Sequence, residues 1–184
     1  MSRLIEHLER FLGPIEEGWS TDADGGPQAF QVVRFSPEAL PQCSVYVTVG
    51  LSRHDLTSRT SSRRVTQELV AIVSDEFRPG PIPGVLQQVG EELIRSGSAL
   101  LRGDVVGPRA RLVEGSEMEA LYAAIPVYLP DGFGQVDDIV MVWTVPISRQ
   151  EAEFVAANGW PLFEERLIDV DPDLTDLHRR SMFA

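Results

Sequence analysis

The chain has 184 residues and a mass of 20.4 kDa, enough for one compact core and little more, so residues 1–184 are read as a single domain. Hydrophobic residues make up 43% and charged residues 24%, which excludes disordered, collagen-like and coiled-coil classes. The formal charge of -12 repels polyanions, disfavours direct nucleic-acid binding and favours a basic partner.

Leu4, Ile5, Leu8, Phe11 and Leu12 share one helical face, predicting a helix over 2–12 that Gly13-Pro14 stops. Gly18 to Pro27 is rich in small and turn-forming residues and reads as a loop. Phe30 to Phe35 has strand composition, and Ser44 to Leu51 alternates with a clean period of two. Ser52 to Arg64 is a polar loop carrying the chain's one basic patch in sequence. Val65 to Val73 is a strand by its β-branched residues, and Val85 to Ser96 keeps helical spacing up to Gly97. Ser98 to Met118 is expected to meander. Ala120 to Tyr128 and Asp138 to Ile147 read as buried strands on either side of Pro130-Asp131-Gly132. Ser148 and Glu151 have capping-box spacing and predict a helix start. Asn158-Gly159 stops that helix, and Trp160 to Ile168 forms another with Phe163 and Leu167 inward. Residues 169–184 read as a solvated acidic tail, with Pro172 ending the helix before it. These elements make an α+β fold, a mostly antiparallel mixed sheet flanked by helices.

The residues that carry chemistry do not assemble into a known spacing. All 16 basic residues are Arg, which removes lysine Schiff-base mechanisms. The one cysteine, Cys43, allows neither an internal disulfide nor a cysteine metal cluster and suits a reducing cytoplasm. Ser52, His54 and Asp55 mimic a catalytic triad, but such near neighbours rarely align nucleophile, base and orienter. His7, His54 and His178 lack metal-ligand spacing. Asp169, Asp171, Asp173 and Asp176 imitate a calcium loop that then fails at Leu174 and Arg180. No glycine motif for nucleotides occurs, no cofactor is implied, and no apolar run is long enough to span a membrane.

From Asp137 to Asp176 there are ten acidic residues against two Arg, read either as solvated helix faces or as a docking surface for a cationic partner. As partner-binding candidates we take Asp137, Asp138, Glu164, Glu165, Asp171 and Asp173. Any of Trp19, Trp143 and Trp160 left exposed beside them would be a hot-spot candidate.

Three segments carry a family resemblance. They are VYVTVGLS (Val45 to Ser52) with the later Gln67-Glu68-Leu69-Val70 strand, GSEMEALYAAIP (Gly115 to Pro126), and VWTVPISRQEAEFVAANGW (Val142 to Trp160) leading to D-x-x-R-R at Asp176 to Arg180. In these the chain resembles bacterial members of the suppressor of fused domain family, and specifically the amino-terminal lobe of the family's animal namesake. The resemblance implies an α/β domain without established enzymatic activity that acts by binding another protein. Many bacterial relatives look like immunity proteins of polymorphic toxin systems, cytosolic inhibitors of a cognate toxin that is often a nuclease. The leading expectation is therefore a non-enzymatic cytoplasmic immunity protein occluding a basic toxin domain. The alternative is a regulatory adaptor that docks a peptide of a cellular protein through the Arg53 to Arg64 loop or a sheet edge.

Overall fold

The computed structural model describes residues 3–21, 26–78 and 80–183. Helix α1 (Arg3–Leu12) buries Leu4, Leu8 and Leu12, the positions that a spacing of four stacks on one face. The first residue of the expected 2–12 helix lies outside the described residues. Strands β1 (Glu17–Thr21), β2 (Pro27–Phe35), β3 (Cys43–Val49), β4 (Leu56–Thr57) and β5 (Arg64–Ser74) precede α2 (Ile82–Ser96). Then come β6 (Val105–Val106), β7 (Met118–Ala124), β8 (Gln135–Val136), β9 (Ile139–Ser148), α3 (Arg149–Asn158) and α4 (Trp160–Val170).

Among the described residues nine strands share one sheet, ordered β1-β2-β3-β5-β9-β7-β6, with β4 attached to β5 and β8 to β9. Every pairing between strands is antiparallel except β5 with β9, where Leu69 stands beside Val142. The mixed, mostly antiparallel sheet flanked by helices is the fold class expected above.

The sheet is covered on both faces, which is why β5 is buried without a break from Gln67 to Val73. Val70 and Ile72 point to a core shared with α1, α3 and α4, containing Leu8, Trp143, Val145 and Phe163. Leu69, Ala71 and Val73 point the other way, to a core with Leu86 and Val89 of α2. The period of two thus splits one apolar run between two cores.

Several boundaries depart from expectation. Glu17–Thr21, inside the expected loop, is an edge strand paired with β2. Its register is held by Trp19 against the Tyr46 ring at 5.9 Å and by Glu17 on the Arg34 guanidinium at 2.9 Å, tertiary contacts that override weak strand composition. Residues 22–25 of that expected loop lie outside the described residues. The expected meander after Ser98 contains β6, paired with β7 through Val105 and Tyr122. Strand β7 ends at Ala124 instead of running to Tyr128, because Pro126 has no N–H for a ladder.

The largest correction is the carboxy-terminal segment. It is not a solvated tail: Leu174, Leu177 and Arg179 are buried. Arg179 donates from Nη1 and Nη2 to the two Glu151 oxygens at 2.7 and 2.8 Å, and from Nη2 to the Pro146 carbonyl at 2.9 Å. The fully buried Glu151 also accepts from the backbone N–H of Ser148 at 2.8 Å and of Met182 at 3.0 Å. A capping box at the head of α3 is therefore also the anchor that pins the chain end to the sheet.

Candidate functional site

Beside α4 the structure leaves a cavity of about 260 Å³ between the helix, strands β7 and β9, and the chain segments 125–128 and 171–174. Trp143, Val145 and Ala124 line it from the sheet, Leu167 from α4 and Leu174 from the closing segment. Around its mouth Ile125, Val127 and Ile168 are exposed, and further along α4 so are Leu162 and Val170. Apolar side chains left in water this close together are the ordinary mark of an interaction surface.

One wall is a preorganised polar cluster. Arg102 donates from Nε to Glu164 Oε1 at 3.0 Å and from Nη2 to Oε2, and the Tyr122 hydroxyl donates to Glu164 Oε1 at 2.9 Å. Burial pushes the Glu164 carboxyl up, but the bonds from Arg102 and Tyr122 and the Arg102 charge outweigh it and hold the group below the usual carboxylate range. Burial first, then the bond to Glu164, push the Tyr122 phenol well above its ordinary range. The Arg102 guanidinium also lies 4.7 Å over the Trp160 ring. Trp160 in turn packs on Gly103, where a Cβ would stand 2.4 Å from Trp160 Cγ and where φ is +91°. Only glycine fits both constraints.

The six candidate acids separate into groups. Glu164 and Asp171 line the cavity. Glu165, the next residue of α4, is exposed. Asp173 accepts from the Thr175 N–H and hydroxyl at 2.9 and 2.7 Å, which folds the closing segment. Asp137 and Asp138 stand in the β8–β9 turn, bonded to Arg3 at 3.1 Å and to the Thr66 hydroxyl at 3.2 Å, and they do not line the cavity. Of the tryptophans, Trp143 is buried and Trp160 is the one exposed beside the acids.

Reasoning from sequence missed Arg102 and the apolar collar. Arg102 lay in the expected meander, with no periodicity to place it. Leu162, Ile168 and Val170 did carry a signal, since they fall off the inward stripe of Phe163 and Leu167.

The residues that imitated catalytic or metal sites are engaged elsewhere. His54 Nε2 lies 3.2 Å from the Ala29 carbonyl, and the Ser52 N–H donates to Glu68. His7 Nε2 is 2.9 Å from the Phe133 carbonyl, and His178 Nε2 is 3.2 Å from that of Glu114. Burial pushes the Cys43 thiol up, away from the thiolate a nucleophile needs. Arg59 and Arg64 of the basic loop pair with Asp104 at 2.9 Å and Asp55 at 3.2 Å. Among the described residues no group of three or more His, Cys, Asp or Glu is placed to hold a metal, and no helix is long and apolar enough to cross a membrane.

The sheet order and the open groove beside α4 define a mixed α+β domain with a surface cavity. Residues 26–180 match the family model for suppressor of fused protein (SUFU), and the chain belongs to that family. It superposes on a SUFU homolog from Neisseria gonorrhoeae FA 1090 with a TM-score of 0.79 at 20% identity, covering 99% of this chain and 96% of that one. It also superposes on a chain of the Sufu–Fu complex, with a TM-score of 0.69 at 17% identity over 98% of this chain and 91% of that one. With Drosophila Suppressor of Fused the TM-score is 0.69 at 18% identity, and 98% of this chain covers 50% of that protein. At these identities the likeness is one of fold. No curated protein matches the chain.

Proposed function

We propose that this chain is a non-enzymatic protein-binding domain of the immunity type, which occludes a basic toxin domain in the cytoplasm through the face around α4. The observation that carries the reading is the combination on that face of exposed Leu162, Ile168 and Val170 with the acids Glu165, Asp169 and Asp171. An apolar patch with a charged rim is the anatomy of a protein interface. A net charge of -12 adds long-range attraction to a basic partner, and a nuclease surface is basic where it holds phosphate. Family membership supports binding over catalysis, since a relative of the same fold is seen in the Sufu–Fu complex.

The test is co-purification of the tagged chain from its native cells at low and moderate salt, followed by affinity measurement on what is retained. A basic toxin domain released as salt rises is the expected result. Glu165→Arg should then weaken its binding at least tenfold and flatten the salt dependence. An unchanged affinity would move the interface off α4, toward Asp137 and Asp138. Recovery of a cellular regulator in place of a toxin would favour the adaptor reading, for which β1 offers an edge strand.

A further inference from the structure

We propose that the cavity beside α4 is a socket for one aromatic side chain of the partner, phenylalanine in size, carried on a basic segment whose lysine or arginine meets Asp171. This rests on the reading of the α4 face as a docking surface and names the chemistry that the surface accepts.

Size makes the first argument. At about 260 Å³ the cavity falls below the range of roughly 300 to 1,000 Å³ usual for small-molecule sites, yet it holds one large side chain. Opposite the Arg102–Glu164–Tyr122 wall its lining is apolar, formed by Ala124, Val145, Leu167 and Leu174. The collar continues outward through Ile125, Val127 and Ile168, which are 50%, 71% and 78% exposed. A pocket with an apolar collar is where interface hot spots sit.

A second observation concerns the lining. Trp143 is 1% exposed and lines the cavity together with Tyr122 and Tyr128. The Tyr128 and Trp143 ring centroids lie 4.8 Å apart, so the lining already holds an aromatic pair that an inserted ring can extend. Ring-on-ring contact adds to area burial and so favours an aromatic occupant over an aliphatic one, and it suits the apolar part of the lining. Charge at the mouth completes the choice. Arg102 is matched by Glu164, whereas Asp171 lines the cavity as an exposed residue and Glu165 adds a second charge nearby. The field at the mouth is negative, which selects cationic neighbours for the inserted ring.

The experiment uses three blocked pentapeptides as probes: Lys-Lys-Phe-Lys-Lys, Lys-Lys-Ala-Lys-Lys and Glu-Glu-Phe-Glu-Glu. Each is titrated into the isotope-labelled full chain while the tryptophan indole signals are followed, with Trp143 assigned through Trp143→Phe. The Phe peptide with Lys flanks should shift the Trp143 indole saturably, the Ala peptide should bind at least tenfold more weakly, and the acidic peptide should leave the signal in place. Ala124→Leu, which fills the cavity, should weaken the first peptide by a similar factor, and the exposed change Ile168→Ser should weaken it without any risk to folding. Equal binding of the Phe and Ala basic peptides, or a Trp143 signal that none of them moves, would overturn the socket. Either result leaves the docking reading standing if a basic protein is still retained and Glu165→Arg releases it. If no basic protein is retained while the Phe peptide still docks, the docking reading fails and the socket survives.

Discussion

At the scale of single residues, two buried carboxylates carry much of the local order. Glu68 is fully buried and accepts from the Thr48 hydroxyl at 2.6 Å and from the backbone N–H groups of Gly50, Leu51 and Ser52 at 2.9, 3.2 and 3.1 Å. It thereby fixes the turn after β3, where Gly50 has a φ of +107° that a side chain would strain. Burial pushes this carboxyl up, and the bonds from Thr48, Ser52 and Gly50 counter that only in part. Glu68→Ala should cost on the order of 3 kcal/mol in a denaturant titration, because three backbone donors lose their acceptor. Glu151 is matched by Arg179, and removing one partner from a buried pair costs about 3 to 5 kcal/mol, the loss expected for Arg179→Ala. A loss near that of an exposed pair would show that the chain end is not pinned as described.

Glu164 gives a residue-scale pH dependence. Its carboxyl is held below the usual carboxylate range in the folded chain, so on acidification the unfolded chain takes up its proton first. The pair with Arg102 therefore stabilises the fold above the ordinary carboxylate range, and that contribution is lost as pH falls through the lower folded value. The stability gap between wild type and Arg102→Ala, about 1 kcal/mol or less for a half-exposed pair, should be present at neutral pH and close as the pH falls below the ordinary carboxylate range. A gap independent of pH would mean that Arg102 acts only by packing on Trp160.

Among elements, α3 and α4 show local and tertiary signals side by side. The Ser148 hydroxyl accepts from the Glu151 N–H at 3.1 Å, and replacing Ser148 with Ala should cost about 1 kcal/mol. That start was legible in sequence, because a capping box is a contact between residues three apart. The full role of Glu151 was not, since its other partners, Arg179 and Met182, come from the far end of the chain. Helix α4 was legible as a helix with Phe163 inward, but whether Glu164 faced solvent depended on Arg102 and Tyr122, which lie 62 and 42 residues away. Strand β1 was invisible for the same reason: Gly18 and Ser20 have poor strand propensity, and only β2 beside them makes a strand of them.

For the whole molecule, a charge of -12 on 184 residues acts through the summed field. Self-repulsion opposes the compact state, so the melting temperature should rise as salt increases from about 10 mM to about 150 mM. A flat response would show that the ion pairs already balance the field. Partner binding should move the opposite way and weaken over the same range, which separates the internal from the intermolecular effect of the same charge.

The sequence by itself determined the class of fold, the helices and most strands, the capping box and the acidity, because periodicity, caps and composition are set by near neighbours or by sums over the chain, while the family was carried by the resemblance of three segments. Only the tertiary structure decided that the carboxy-terminal segment is buried, that Glu164 belongs to a cluster with Arg102 and Tyr122, and that Asp171 stands over an apolar cavity. Those facts depend on residues far apart in the chain meeting across a sheet, and no local pattern encodes which distant side chain will stand opposite.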